Sequence, residues 1–368
     1  MKILAIETSC DDTAIALVEA SGTTSTPKFK VLKSVISSQI EVHRPWGGVV
    51  PNLAKREHIK NLPKIFDMLF TKPYTLTPDV VAVTVGPGLE PALWAGIEFA
   101  KKVYQQLKTE NKKIKLIGVN HLEGHLYSFL LSEQNKTVNS KSKLLITKQT
   151  KRLNTKPHPL TPMFPAIALI VSGGHTILLK MNSPIKWKKL GETKDDAVGE
   201  SFDKVAKMLG FPYPGGPEIQ RLAEKGNPNA IRFPRPMIGS KDYNFSYSGL
   251  KTSVLYYIRD LEQTTYNLQQ KQDIAASFQE AALDVLVKKK ERAAREHNAR
   301  SIFLSGGVAA NKELRRKLKV TSQKLQVSFI APPMDFNTDN AVMIAVAGYM
   351  NILRKKNKKL IANGNMGI

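Results

Sequence analysis

His121-Leu122-Glu123-Gly124-His125 sets two imidazoles four residues apart, and a candidate third ligand, Asp339, lies far downstream. On a helix, residues i and i+4 share one face with Cβ atoms about 5–6 Å apart. Two neutral imidazoles so spaced can converge on one divalent ion and leave coordination positions open for a substrate. A bare H-x-x-x-H is equally compatible with two polar histidines on a half-exposed helix. A zincin protease needs H-E-x-x-H, with the general base directly after the first histidine. Leu122 holds that place, and Glu123 falls near the opposite side of the helix, so the protease reading lacks its base.

A second kind of chemistry is written in glycine. Ile3–Ile6 runs into Glu7-Thr8-Ser9-Cys10-Asp11-Asp12-Thr13 and then Ala14–Val18; Ala166–Val171 runs into Ser172-Gly173-Gly174-His175-Thr176 and then Ile177–Leu179. The same strand, polar turn and strand occur twice, and this weak duplication predicts two related lobes facing a shared cleft. Val80–Val85 before Gly86-Pro87-Gly88 and Ser301–Leu304 before Ser305-Gly306-Gly307 each lead from glycines into a predicted helix. Such turns let backbone N–H groups approach an anion closely, and a following helix N-terminus adds a favourable dipole. One pair of glycines is only a turn; several in one chain point to a nucleotide. Gly86–Pro91 lacks the third glycine of the dinucleotide fingerprint, and no G-x-x-x-x-G-K-[ST] occurs, so the cradle is of another kind. Gly191–Lys204 and Tyr213–Glu218 are dense in carboxylates for so basic a chain. Such acids bind sugar hydroxyls, amines or metals, or else cap helices, as Asp195 and Asp196 could. Asn311 offers an amide at a helix start, where a purine or ribose could be read.

Positioning these groups takes an α/β chain, because helical patterns (52–70, 91–107, 273–295, 312–318 and 339–353) fill the gaps between the strands. The length of 368 residues predicts two domains. A net charge of +24 favours a polyanionic partner. Cys10 stands alone, which rules out an internal disulfide and fits a reducing compartment. Glu7, Asp11 and Asp12 interrupt any secretory signal, and no apolar run is long enough to span a membrane, so a cytoplasmic protein is expected. Residues 132–162 carry Lys136, Lys141, Lys143, Lys148, Lys151, Arg152 and Lys156 against Glu133, with Pro157, Pro159 and Pro162 at the end, and read as a flexible basic loop or linker. Arg354–Lys359 is a second basic run.

Taken in order, ETSCDDT (7–13), GGVVP (47–51) with Arg56-Glu57-His58, GPGL (86–89), NHLEGH (120–125), VSGGHT (171–176), GETKDDAVGESFDK (191–204), YPGGP (213–217), FSYSGLK (245–251), SGGVAAN (305–311) and TDNAVMIA (338–345) resemble the motifs of the TsaD/Kae/Qri family. These are tRNA adenosine threonylcarbamoyltransferases, once described as sialoglycoprotein endopeptidases. The resemblance covers nearly the whole chain except 132–162 and the tail, and the forms of two motifs look like the bacterial or organellar TsaD branch. It implies two actin-like (ASKHA, ribonuclease H-like) lobes with an interlobe ligand cleft. The division would be 1–131 and 163–335, with 132–162 as a basic insert or linker, 336–353 as a C-terminal helix carrying Asp339 back to the cleft, and 354–368 as a basic tail.

The resemblance also implies that His121, His125 and Asp339 hold one divalent metal, iron or zinc. Ile170, Val171, Ser172, Gly173, Gly174, Asp203, Gly216 and Asn311 would match the family's positions for the adenylate donor, threonylcarbamoyl-AMP or an ATP-type nucleotide. Glu218, after the Pro-Gly-Gly-Pro turn, is a further candidate, and Asp11 would match an acidic residue that matters for transfer. The implied partners are tRNA and, in a bacterium, a TsaB-like paralogue and a TsaE-like ATPase, with no membrane. A small-molecule kinase of the same superfamily, a metalloprotease and a catalytically silent nucleic-acid-binding scaffold are the competing classes. The chain departs from the family in its basic insert, its charge and Trp94, for which core packing is expected.

Overall fold

Ile3, Leu4, Ala5 and Ile6 are all shut from solvent, so the first strand is covered on both faces. Such unbroken apolar runs mark the middle of a sheet with a layer on each side. The computed structural model describes residues 1–70, 77–132, 160–262 and 267–368. In chain order the elements are β1 (Lys2–Glu7), β2 (Asp12–Ser21), β3 (Lys28–Ser38), α1 (Ile40–His43), α2 (Pro51–Leu69), β4 (Val80–Gly86), α3 (Glu90–Lys108), β5 (Lys115–Asn120), α4 (His121–Tyr127), β6 (Ala166–Val171), β7 (Thr176–Ser183) and β8 (Lys186–Glu192). There follow α5 (Val198–Met208), α6 (Gly215–Ala223), α7 (Ser248–Glu262), α8 (Leu268–Glu296), β9 (Ser301–Ser305), α9 (Lys312–Lys324), β10 (Ser328–Ile330) and α10 (Ala341–Leu353).

The chain forms two compact units: Met1–His43, Val49–Leu160 and Pro332–Ile368 make the first, Arg44–Gly48 and Thr161–Ala331 the second. Each holds a mixed five-stranded sheet, ordered β3-β2-β1-β4-β5 in the first and, read from the matching edge, β8-β7-β6-β9-β10 in the second. β1 pairs antiparallel with β2 and parallel with β4; β6 does the same with β7 and β9. The duplicated hairpin predicted from sequence is therefore the visible part of a duplicated sheet. Even the glycines match. Gly88 (φ +153°) would bring a Cβ to 2.5 Å from the carbonyl oxygen of Ser9, just after β1, and Gly306 (φ +92°) would bring one to 2.2 Å from that of Val171, at the end of β6.

In the first unit, Val81, Val83 and Val85 pack with Leu62, Phe66, Ile97 and Val103 of α2 and α3, while Ala82 on the other face meets Gly348 of α10. Ala341 to Met350 of α10 are all buried, each large apolar side chain contributing on the order of 1.5–3 kcal/mol. In the second unit, Ile167, Leu169, Val171, Ile302 and Leu304 form the core with Phe202 of α5 and Phe278 and Leu283 of α8.

Some expectations shift. α8 starts at Leu268, behind an Asn267 capping box, and α9 runs on to Lys324. Trp94 is 38% exposed, with the Lys101 ammonium 5.7 Å from its ring centre, so it is not a core residue. Every basic residue named in the 132–162 insert lies outside the described residues. After α10 the tail lies along the first sheet: Lys358 bridges Gly118 of the edge strand β5, Asn363 N–H donates to Val85 O (2.9 Å), and Lys355, Lys356 and Lys359 stay exposed.

Candidate metal centre

β1, β4 and β5 run parallel side by side, and their last residues are Glu7, Gly86 and Asn120. Asn120 turns the chain into α4, its side-chain oxygen accepting from the N–H groups of Leu122 (2.8 Å) and Glu123 (3.1 Å). This cap fixes where the first turn begins and hence the direction in which His121 and His125 project. At Gly124 a Cβ would lie 3.0 Å from both Met343 Cγ and Ile344 Cδ1, so these α10 side chains pack directly onto the bare backbone of α4. Asp339 stands just before α10, whose N-cap Asn340 accepts from Met343 N–H (3.0 Å) and donates to Thr338 O (2.8 Å). A braced turn, not the helix body, carries the carboxylate.

His121 Nε2 lies 3.5 Å and His125 Nε2 3.2 Å from the same Asp339 Oδ1, and the three ligand atoms fall within 4.8 Å of one another. A tetrahedron with ligand bonds of about 2.1 Å has an edge of about 3.4 Å. His125 is fully buried, and neither of its ring nitrogens has a hydrogen-bond partner among the described residues; Nε2 is near Asp339 without a hydrogen bond's alignment. An idle buried donor or acceptor costs about 1–3 kcal/mol, which a cation on the lone pair would remove. The residues fit a divalent ion.

Electrostatics say the same. Burial works against a charged His121, but Asp339 and then Glu7 outweigh it and lift its pKa to about 9. His125 moves the other way, lowered by burial that Asp339 offsets only in part. Burial would raise Glu7, yet the charge and hydrogen bond of His121 hold it below the ordinary carboxylate range. Two carboxylates thus demand a positive charge, and a protonated His121 supplies it. A divalent ion would replace that proton.

The turn between β1 and β2 adjoins the triad, with Ser9 Oγ 3.1 Å from His121 Nδ1. Asp11, the sequence candidate for transfer, accepts Gln39 N–H on its main-chain oxygen (2.9 Å). In its neighbour Asp12, Oδ1 is closed to solvent with no partner among the described residues, and burial, then Asp11, raise the carboxyl pKa to about 8. Beneath them His58 bridges Thr13 Oγ1 (2.8 Å, from Nδ1) and the Cys10 carbonyl (2.9 Å, from Nε2). Glu123 is held by Asn351 Nδ2 (2.6 Å) and by Arg354 (3.5 Å), so it is no protease base.

The adenylate candidates belong to the second unit. Ile170 and Val171 end β6, and the Ser172–His175 turn closes with Ser172 N–H donating to His175 O (2.8 Å). A Cβ at Gly173 or Gly174 would meet nothing within 4 Å among the described residues, whereas one at Gly199, on the first turn of α5, would strike Ser172 O at 2.5 Å. One turn further along α5, Asp203 Oδ1 accepts Gly215 N–H (2.7 Å), next to Gly216, whose Cβ position is open. Asn311 caps α9 through Leu314 N–H (2.9 Å) and donates to Gln279 Oε1 (2.7 Å), so much of its amide is committed. Beside it is a hollow of about 310 Å³ lined by Gln220, Glu224, Gln279, Glu280, Lys312 and Arg316. Glu218 is occupied by Arg221 (2.8 Å); Gln220, missed in the sequence, faces the hollow. Asp195 accepts from Tyr247 and Ser248 N–H (2.7 and 3.3 Å) at the start of α7, and Asp196 pairs with Lys251 (2.6 Å) and Lys204 (2.9 Å). Both of these acids are structural.

Paired five-stranded sheets of this order, one of them carrying a His-His-Asp cluster at its strand ends, define an actin-like ATPase fold with a candidate metal centre. HypF of T. kodakarensis superposes with a TM-score of 0.54 at 14% identity, over 98% of this chain and 49% of that one; full-length HypF in its phosphate- and nucleotide-bound form gives 0.51 at 14%, over 98% and 47%. The chain spans about half the length of either, and the likeness is one of fold. The family model for TsaD, tRNA N6-adenosine threonylcarbamoyltransferase, matches residues 30–141 and 142–346, and the chain belongs to that family. Proteins named tRNA N6-adenosine threonylcarbamoyltransferase are similar throughout. That of Thermosipho melanesiensis is 45% identical over 95% of this chain and 94% of its own, and that of Bacillus thuringiensis 40% identical over 100% and 96%.

Proposed function

We propose that the chain transfers the threonylcarbamoyl group of threonylcarbamoyl-AMP to the exocyclic amine of the adenosine beside the anticodon, in tRNAs that read codons starting with A. The observation that carries this is the convergence of His121, His125 and Asp339 in a chain matched to the family over residues 30–346. The amine is a poor nucleophile because its lone pair is delocalised into the purine. Rate must therefore come from positioning and from stabilising the departing adenylate.

An iron or zinc ion held by His121, His125 and Asp339 would supply a Lewis acid that anchors and polarises the donor. The chain's own groups do the rest. The Ser172–Gly174 turn, open at Gly173 and Gly174, receives the phosphate, Asp203 and the Gly216 turn meet the ribose, and the hollow by Asn311 takes the base. As the amine nitrogen bonds to the carbamoyl carbon, the carbon–oxygen bond to phosphate breaks, AMP leaves, and the amine loses a proton. Asp11, in the turn that adjoins the triad, is the acceptor. The +24 net charge suits tRNA. A TsaB-like paralogue, a TsaE-like ATPase and a cytoplasmic setting are part of the reading, and the bacterial relatives support it. Mass spectrometry of tRNA nucleosides from a strain lacking its own enzyme is the test. The parent chain, supplied with its donor system, should restore threonylcarbamoyladenosine and His125→Ala should not; failure of the parent overturns the reading.

A further inference from the structure

We infer that Glu7 is a positioning residue that fixes the proton of His121 on Nδ1, and so presents Nε2 to the ion. The inference rests on the reading of the triad as a metal centre. Glu7 ends β1 and is fully buried. No salt partner from a Lys or Arg compensates it among the described residues; its oxygens are spent instead on three donors. Oε1 accepts Ser9 N–H (2.5 Å), while Oε2 accepts Thr84 Oγ1–H (2.6 Å) and faces His121 Nδ1 at 3.2 Å.

A buried carboxylate kept for shape alone would be replaced at gain by an apolar side chain, since its desolvation is expensive. Its cost is explained if it sets the state of the ring. A neutral imidazole has one N–H, and the nitrogen that lacks it is the ligand. A carboxylate can only accept, so Nδ1 beside Glu7 must carry a proton; when an ion displaces the second ring proton, the lone pair is left on Nε2, 3.5 Å from Asp339 Oδ1. Thr84 and Ser9 lock Glu7 from both sides, one from the adjacent strand β4 and one from the turn. Ser9 Oγ also reaches Nδ1 at 3.1 Å, but a hydroxyl both donates and accepts and cannot choose the tautomer.

Glu7→Gln separates the roles. Ser9 N–H must still find an acceptor, so the amide oxygen stays there and the NH2 turns toward Nδ1. The ring then keeps its proton on Nε2, where it blocks coordination. Zinc is added to metal-stripped protein and its affinity measured by chelator competition. We expect one site in the parent, affinity roughly 10–100-fold weaker in Glu7→Gln, and little change in Ser9→Ala. Nitrogen-resolved NMR of the zinc-loaded parent should find the His121 ring proton on Nδ1, a readout that needs no variant. A proton on Nε2, or parental affinity in Glu7→Gln, overturns the role of Glu7 and leaves the triad standing. Stoichiometric zinc that survives His121→Ala/His125→Ala overturns the triad itself, and Glu7 with it.

Discussion

His121 and His125 lie one turn apart on one helix, yet their pKa values are driven in opposite directions. Burial opposes charge on both rings; Asp339 and Glu7, the latter in direct contact, outweigh it at His121, while at His125 burial and the charge of His121 outweigh Asp339 and the weaker pull of Glu7. The histidine spacing was legible in the sequence, and so was Asp339 once the motif order was recognised. Glu7 was not, because nothing marks a strand-end glutamate in ETSCDDT until Thr84 and His121 are seen around it. His125→Ala or Asp339→Ala should remove the ion and abolish modification with the fold intact, as elemental analysis and circular dichroism will show, since a lost ligand costs affinity more than packing. The pH dependence follows in sign. His121 has a folded pKa of about 9, raised above the usual 6.5, so its contribution to metal-stripped protein is fully present below 6.5 and lost as pH rises through 9. Denaturant titrations should therefore show stripped protein losing stability across that window. Zinc must displace the same proton, so its apparent affinity should rise about tenfold per pH unit between 7 and 9; a flat profile would contradict the protonated His121.

Among elements, the strands that run into glycine turns were readable because both faces are buried and the runs are purely apolar. β3, β8 and β10 were not. Lys28–Ser38 and Lys186–Glu192 are edge strands that mix lysines with apolar residues and are mostly half-buried or exposed, and β10 is three residues long. α8 hides a different trap: Lys288-Lys289-Lys290 looks like a surface run, but Lys289 and Lys290 are fully buried, Lys290 on the carbonyl of Phe303. The glycines of the second unit divide by the same logic of space. Gly306→Ala meets both a positive φ and the Val171 backbone, so a loss of about 2 kcal/mol or more is expected in chemical denaturation. Gly173→Val meets open space, so it should leave stability nearly unchanged yet weaken AMP binding in calorimetry by filling the turn. Equal AMP affinity in that variant would move the phosphate elsewhere.

For the whole chain, charge and continuity are the properties that matter. Lys141, Lys143, Lys148, Lys151, Arg152 and Lys156 lie outside the described residues, and their role is argued from charge: on a protein that binds RNA they should add affinity without reading sequence. Changing all of them to Gln should weaken matched and mismatched tRNAs alike. The plot of log affinity against log salt should also flatten, by roughly 0.7–0.9 for each phosphate that is no longer neutralised. An unaltered slope would assign them to a linker or a protein-binding segment. Charge and motif order were plain in the sequence; the course of 354–368 along the first sheet rests on backbone hydrogen bonds that composition does not encode. That return has a consequence for the order of events at the ribosome. Apart from Arg44–Gly48, the second unit is one stretch, Thr161–Ala331, and it is synthesised before Pro332–Ile368. Because domains fold as units while the chain emerges, β6–β10 can close their core while the first unit still lacks α10 and Asp339. The histidine pair then waits, made early and completed late. Any ion on the triad would therefore be bound last, once Asp339 has joined the two histidines.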